Sequence, residues 1–379
     1  MRLLFLNGEY THTIDVIRII KKYIPTVKCH ILVKNSSIFC KSSYVDFVHF
    51  LPEHQNIINE VYRLNKYFQF DWIIPIGFPE IKRFSENKNR FPNVFVEDPK
   101  VVNTCTYKPK ALEIAHKLGI PVPASKLIKN TSDLNTPNIG LRYPLFIKSS
   151  EEMGSSIMGI ARNKKALIKL CLSIFKQKSK PLIQEYINSP FTYGVGIYAF
   201  KGHIREYFMH RELLSMPPLG GSGVILEKFY DNILLDYSRR LIKELNYTGL
   251  ALIEYKKHPQ KRDYYFMEIN SKFWASIAFA LDNNPRLLPF LHNSQNIVKL
   301  NSFKQKARFF IYPDRFIRNF RYKNKLSSIS CLLYIFSKKG VKKVRFDIKD
   351  VKYEIFCIAS GILSLLPKYI KQVIKKILT

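Results

Sequence analysis

Acidic residues are scarce in this 379-residue chain: 29 Asp and Glu stand against 61 Lys and Arg, a formal charge of +32. Cysteine is sparse and unclustered. Cys29, Cys40, Cys105, Cys171, Cys331 and Cys357 include no Cys-x-x-Cys pair, which argues against a disulfide framework and against a zinc site. No apolar run approaches the ~20 residues that span a bilayer; the carboxy-terminal stretch 355–366 has twelve. The opening run 3–6 turns polar at Asn7, too soon for a secretory leader. No Gly-x-Gly-x-x-Gly follows it, so a dinucleotide site is not expected there. What remains is a chain suited to a reducing cytosol and long enough for two or three domains.

The basic excess is uneven. Residues 301–379 hold nineteen Lys and Arg against four Asp and Glu, a net of +15. Nucleotide phosphates, nucleic acid and anionic lipid are the acidic partners such a balance suits. Outside this last fifth, biased composition explains the lysines equally well, and no nucleic-acid-binding module is recognisable.

Residues 1–105 alternate strand-like and helix-like segments: strand 3–6, helix 14–23, strand 27–33, helix 57–68, strand 72–76. This βαβ pattern predicts a parallel sheet covered by helices. A second unit starts near residue 106 with a helix over 110–118 that stops at Gly119 and Pro121. Strand 143–148 ends in Lys148 and runs into a small-residue loop containing Ser155 and Ser156. Backbone amides of such a loop can cradle phosphate oxygens beside the lysine charge, although an ordinary hairpin with a solvated lysine would read the same. Helix 164–176, strand 181–187 and an antiparallel pair, 194–200 and 203–208, come next. A long loop is expected over 209–223, carrying His210 and Arg211 next to a glycine cluster, before helix 233–245.

Two further strands, 249–255 and 264–274, put Glu254, Glu268 and Asn270 on adjacent strands. Side chains two apart share a strand face, so Glu268 and Asn270 point together. Carboxylate and amide oxygens suit Mg2+, which keeps phosphate oxygens as its other ligands. Taken alone, Glu-x-Asn also fits a strand end with a polar turn.

From about residue 106 to 293 these motifs resemble, in order and spacing, the ATP-grasp superfamily, and especially its carbamoyl-phosphate-synthase-like, carboxylate–amine ligase branch. The resemblance implies an α/β chain in which an amino-terminal parallel α/β domain (1–105) precedes an ATP-grasp fold of two α+β subdomains (106–183 and 184–300). A basic, helical carboxy-terminal extension (301–379) follows. It implies ATP and Mg2+, or Mn2+ in its place, as cofactors. Lys108 and Lys148 would approach the phosphates beneath a flap bearing Ser155 and Ser156. Glu185, Tyr186 and Ile187 would form the adenine hinge, and Glu254, Glu268 and Asn270 would hold the metal. The family's Asn-Pro-Arg is here Asn270-Ser271-Lys272, so Lys272 would face the acyl-phosphate without the bidentate fork of arginine. Arg205, His210 and Arg211 would bind the substrate carboxylate or phosphoryl group, unless they form a surface salt bridge. No carboxylate for the ribose is evident after the hinge.

The implied activity is an ATP-dependent, ADP-releasing ligase. It would convert a small-molecule carboxylate into an acyl-phosphate for attack by an amine. A phosphotransferase of the same fold and a non-catalytic basic binding protein are the alternatives. The segment 367–378 sets Tyr369, Ile370, Val373, Ile374, Ile377 and Leu378 opposite lysines, the pattern of an interfacial helix. A cytoplasmic enzyme attached peripherally to the inner membrane face through 351–379 is therefore expected, with a helix docked on the protein's own core as the competing reading.

Overall fold

The computed structural model describes residues 1–34, 41–135, 140–152, 157–292, 307–322 and 325–366. Strand β1 (Arg2–Leu6), helix α1 (Thr11–Tyr23), β2 (Lys28–Val33), β3 (Phe47–Phe50), α2 (Ile57–Phe68), β4 (Trp72–Pro75) and α3 (Phe78–Glu86) build a parallel sheet of order β3-β2-β1-β4. The apolar runs of β1 and β2 are buried on both faces, as a helix-covered parallel sheet requires. On one face Leu4, Leu6 and Leu32 pack with Ile58, Val61 and Leu64 of α2. On the other, Phe5 and Ile31 meet Ile14, Ile17 and Ile20 of α1, which are spaced to share one helical stripe.

Helices α4 (Pro99–Thr106) and α5 (Lys108–Lys117) lead to a four-stranded sheet of β5 (Ser125–Leu127), β6 (Leu145–Ser149), β7 (Met158–Ala161) and β8 (Pro181–Glu185), in order β5-β8-β6-β7. Helix α6 (Lys164–Lys176) covers one side: Leu145 and Ile147 join Leu167, Cys171 and Ile174 there. Strand alternation therefore turns Phe146 and Lys148 to the uncovered side.

The third sheet has order β13-β12-β9-β10-β11-β14-β15. It comprises β9 (Thr192–Phe200), β10 (His203–Met216), β11 (Ser222–Lys228), β12 (Gly249–Lys257), β13 (Tyr264–Asn270), β14 (Phe309–Ile311) and β15 (Lys342–Val344). Helices α7 (Asn232–Glu244), α8 (Ile277–Asn283), α9 (Pro313–Asn319), α10 (Lys325–Ser337) and α11 (Val351–Leu365) complete the described elements.

Two expectations change here. The loop expected over 209–223 is a hairpin: β10 continues to Met216, and His210 and Arg211 pair with Lys228 and Glu227 of β11. Polar side chains mask a strand that pairs with β9 and β11, with bulges near Ile204 and Leu214. Only 217–221 turns, and a Cβ on Gly220 would lie 2.4 Å from Met158 Sδ, so the hairpin tip touches β7 of the other sheet. The described part of the carboxy-terminal segment is also no free tail. Strand β14 pairs antiparallel with β11, and β15 runs parallel to β14. Arg345 donates to Asp15 (2.8 Å) and Glu354 (3.1 Å), while Arg18 donates to Asp350 (2.9 Å) and pairs with Glu354. All five groups are buried, and they join α1 to the chain around α11. The interfacial pattern over 367–378 lies outside the described residues.

Candidate active site

Strand register places the acidic pair. Glu254 of β12 stands directly opposite Glu268 of β13, and Leu252 opposite Asn270, so both carboxylates share the face that meets the α6 sheet. Lys148 reaches across from β6: its Nζ lies 3.3 Å from Glu268 Oε2 and 3.3 Å from the Met267 carbonyl. Asn270 Nδ2 bridges the carboxylates, 3.2 Å from Glu254 Oε2 and 3.4 Å from Glu268 Oε1.

Their electrostatics diverge. Burial favours a protonated Glu268, but Lys148 and Lys108 outweigh it and hold the carboxyl down at about 2. Glu254 is pushed well above the usual carboxylate range by burial and by the negative charge of Glu268 beside it. Burial lowers the Lys148 ammonium, against the pull of Glu268. A cationic ligand between the carboxylates would relieve Glu254, while an anionic one at Lys148 would replace Glu268 as its partner.

A second ion-pair group adjoins the first. The Lys108 N–H donates to the Ser150 carbonyl (2.9 Å) and the Glu152 N–H to the Thr106 carbonyl (3.1 Å), which clamps 150–152 to the start of α5. Glu152 then lies 3.7 Å from Lys108 Nζ and 3.0 Å from Lys272 Nζ. Phe78, Thr106, Lys108, Glu152, Glu268 and Lys272 line a small cleft. Glu152 had no signal in the sequence, because its partners are 44 and 120 residues away.

Along the same sheet face, β9 places Gly194 between Glu254 and His210. A Cβ on Gly194 would stand 2.6 Å from His210 Cε1, so the imidazole lies over a position that has no side chain. His210 is buried, burial lowers it to about 4, and its Nδ1 has no partner among the described residues. Two residues on, Glu212 accepts from Ser215 Oγ (2.7 Å) and faces Thr192, which Lys256 Nζ approaches to 3.3 Å.

Glu212 is 5% exposed, and burial raises it from 4.5 to about 7. Between these values the folded chain holds a proton that the unfolded chain has released. Stability on this account is complete below pH 4.5 and is lost as pH rises towards 7. Glu212→Gln keeps the acceptor and removes the charge. In urea unfolding it should be more stable than the parent by about 3 kcal/mol at pH 8 and equal to it at pH 4.

The remaining predicted residues are dispersed. Arg211 turns to the opposite face, where it donates to Glu227 Oε2 (2.6 Å) and stacks on Phe191. Arg205 is exposed near the β9–β10 turn over Phe200, five residues or about 17 Å of strand from His210. Neither reaches the carboxylates; the strand's alternation and length separate them. Glu185 ends β8 and Tyr186 and Ile187 follow it, with the Glu185 N–H on the Ala124 carbonyl (2.8 Å) and the Ile187 carbonyl accepting from Ser189 N–H (2.8 Å). Ser155 and Ser156 lie outside the described residues.

Among the described residues no three His, Cys, Asp or Glu side chains gather as a metal cage. Two carboxylates and an amide nonetheless suit Mg2+, which keeps water and phosphate oxygens in its shell. The raised Glu254 marks a site short of positive charge.

No protein-family model matches the chain. A 152-residue stretch is 25% identical to the multifunctional protein CAD of Squalus acanthias, covering 37% of this chain and 7% of that protein. Solved structures align over much more. The biotin carboxylase of Campylobacter jejuni, in a β,γ-ATP complex, superposes with a TM-score of 0.61 at 16% identity, over 81% of this chain and 74% of that one. The L-amino acid ligase of Bacillus licheniformis gives 0.60 at 12%, over 76% and 72%. The N5-carboxyaminoimidazole synthetase of Staphylococcus aureus gives 0.56 at 11%, over 74% and 72%. At these identities the likeness is one of fold, and the fold is the ATP-grasp fold.

Proposed function

We propose that this ATP-grasp fold binds ATP with Mg2+, or Mn2+ in its place, between the α6 sheet and the seven-stranded sheet. The reaction is a ligation: a substrate carboxylate attacks the γ-phosphoryl group, ADP leaves, and an amine displaces phosphate from the acyl-phosphate. The observation that carries this reading is the Lys148–Glu268–Glu254–Asn270 cluster, a phosphate-type cation and a metal-type donor set brought into contact from two different sheets.

Each residue has a role its position supports. Lys148 and Lys108 take phosphate oxygens, and Glu254, Glu268 and Asn270 hold the metal. Glu185, Tyr186 and Ile187 border the adenine. Bound there, Mg2+ supplies charge neutralisation at the γ-phosphoryl group. Lys272 is freed from Glu152 when the developing acyl-phosphate offers it a stronger partner. The reaction needs no nucleophilic triad, because positioning and charge do the work.

The test is thermal unfolding with MgATP. A ligand that binds only the native state raises its stability by about 2.7 kcal/mol at a hundredfold excess over Kd. The natural chain should show a Mg2+-dependent rise in Tm that is lost in Lys148→Ala and in the double change Glu268→Ala, Asn270→Ala. No rise in the natural chain would remove the nucleotide reading.

A further inference from the structure

Of twenty-four exposed large apolar side chains among the described residues, eleven fall within 329–365. On α10, Ile329, Leu333 and Phe336 are spaced i, i+4, i+7 and lie on one face, with Leu333 67% and Phe336 68% exposed. On α11, Ile355 and Ile362 point outward, while Tyr353, Glu354, Cys357 and Gly361 face the core. Ile348, between the helices, is 81% exposed.

Both helices pack on α9: Asn319 donates to Ser328 Oγ of α10 (2.9 Å) and Arg318 to Ser360 Oγ of α11 (3.0 Å). They are therefore neighbours, held together through α9. No charged residue occurs from Ser327 to Ser337, and after Lys352 none with an exposed side chain occurs up to Leu366. In a chain in which 24% of residues are charged, two outward helix faces without charge mark a covered surface. The charges gather at the helix ends instead, where Lys338, Lys339, Lys349 and Lys352 are exposed.

We propose that this surface rests on an anionic bilayer, the outer faces of α10 and α11 entering the headgroup boundary and the lysines meeting lipid phosphates. Among the described residues no helix is long and apolar enough to cross a membrane, so the contact is interfacial. Charge complementarity selects this occupant. A second copy of the chain would bring a net +15 region against its like, whereas an anionic surface attracts each nearby lysine with a gain of about fivefold in affinity.

The experiment is co-sedimentation of the full chain with phosphatidylcholine vesicles, with and without phosphatidylglycerol, at physiological salt. Binding is expected to the anionic vesicles only and to weaken as salt rises. It should fall about tenfold or more in Leu333→Ser, Phe336→Ser and, separately, in Ile355→Ser, Ile362→Ser. Because these side chains are exposed, both variants should keep the parent's Tm and its MgATP response. If one pair fails to fold, the other carries the test. Equal binding to neutral vesicles, no binding at all, or binding that ignores both pairs would overturn the proposal. So would sedimentation equilibrium showing a dimer that the same substitutions dissociate.

Discussion

Changing Glu268 to glutamine is expected to lower ADP release from MgATP by about a thousandfold or more, with the fold intact. Glutamine keeps the side chain's length and can still accept from Asn270, whose Nδ2 lies 3.4 Å from Oε1. What it loses is the charge, and here the charge has two tasks. Without ligand, Glu268 neutralises Lys148, which is buried beneath it at 3.3 Å. On the proposed reading, nucleotide would separate the pair, drawing the lysine to phosphate and the carboxylate to metal. Removing the carboxylate would take away the proposed metal ligand and leave a buried ammonium without its partner; either loss alone would weaken transition-state charge stabilisation by several kcal/mol. Turnover should be followed as ADP release with acid and amine mixtures, and as the slow hydrolysis of MgATP in their absence. A variant within tenfold of the parent would place the metal elsewhere.

The largest expected effect on stability is far from the cleft. Arg345→Met should cost about 3–5 kcal/mol, because it strands Asp15 and Glu354, each less than a twentieth exposed, with only Arg18 to share. The loss comes from the carboxylates left behind rather than from the attraction removed. The double change Arg345→Met, Asp15→Asn should therefore be less destabilised than Arg345→Met alone, a non-additivity that urea midpoints at pH 7 would show directly. Equal losses would mean that Asp15 keeps adequate solvation without the arginine.

What could be read from the sequence, and what could not, divides along a physical line. Helix α6 matches its expected span of 164–176, and the carboxylate-bearing strands β12 and β13 lie where expected, because apolar periodicity there is strong and local. Strand β3 escaped notice: Phe47–Phe50 is a short edge strand with His49 in it and only partial burial. The far half of β10 was lost because Glu212 and His210 face a cleft and Arg211 the opposite side, so alternation carried no apolar signal. Pairings over long separations, Glu152 with Lys272 or Asp15 with Arg345, leave no local trace at all. That Glu254, Glu268 and Asn270 come together could be read because their strand spacing is local. The misplaced arginines could not be detected, since only the fold decides which way a strand residue points.

The distance between Asp15 and Arg345 along the chain also orders events in time. During synthesis the guanidinium that satisfies Asp15 of α1 emerges 330 residues after it. At synthesis rates of about 5–20 residues per second, the nascent amino-terminal sheet waits tens of seconds with a core position occupied by an unmatched carboxylate. During that interval its apolar α1 stripe has no settled neighbour in α8 or around Tyr353. Until Arg345 emerges, Arg18 is the neighbouring cation available to Asp15, so a fragment ending near residue 300 should be less stable than the full chain.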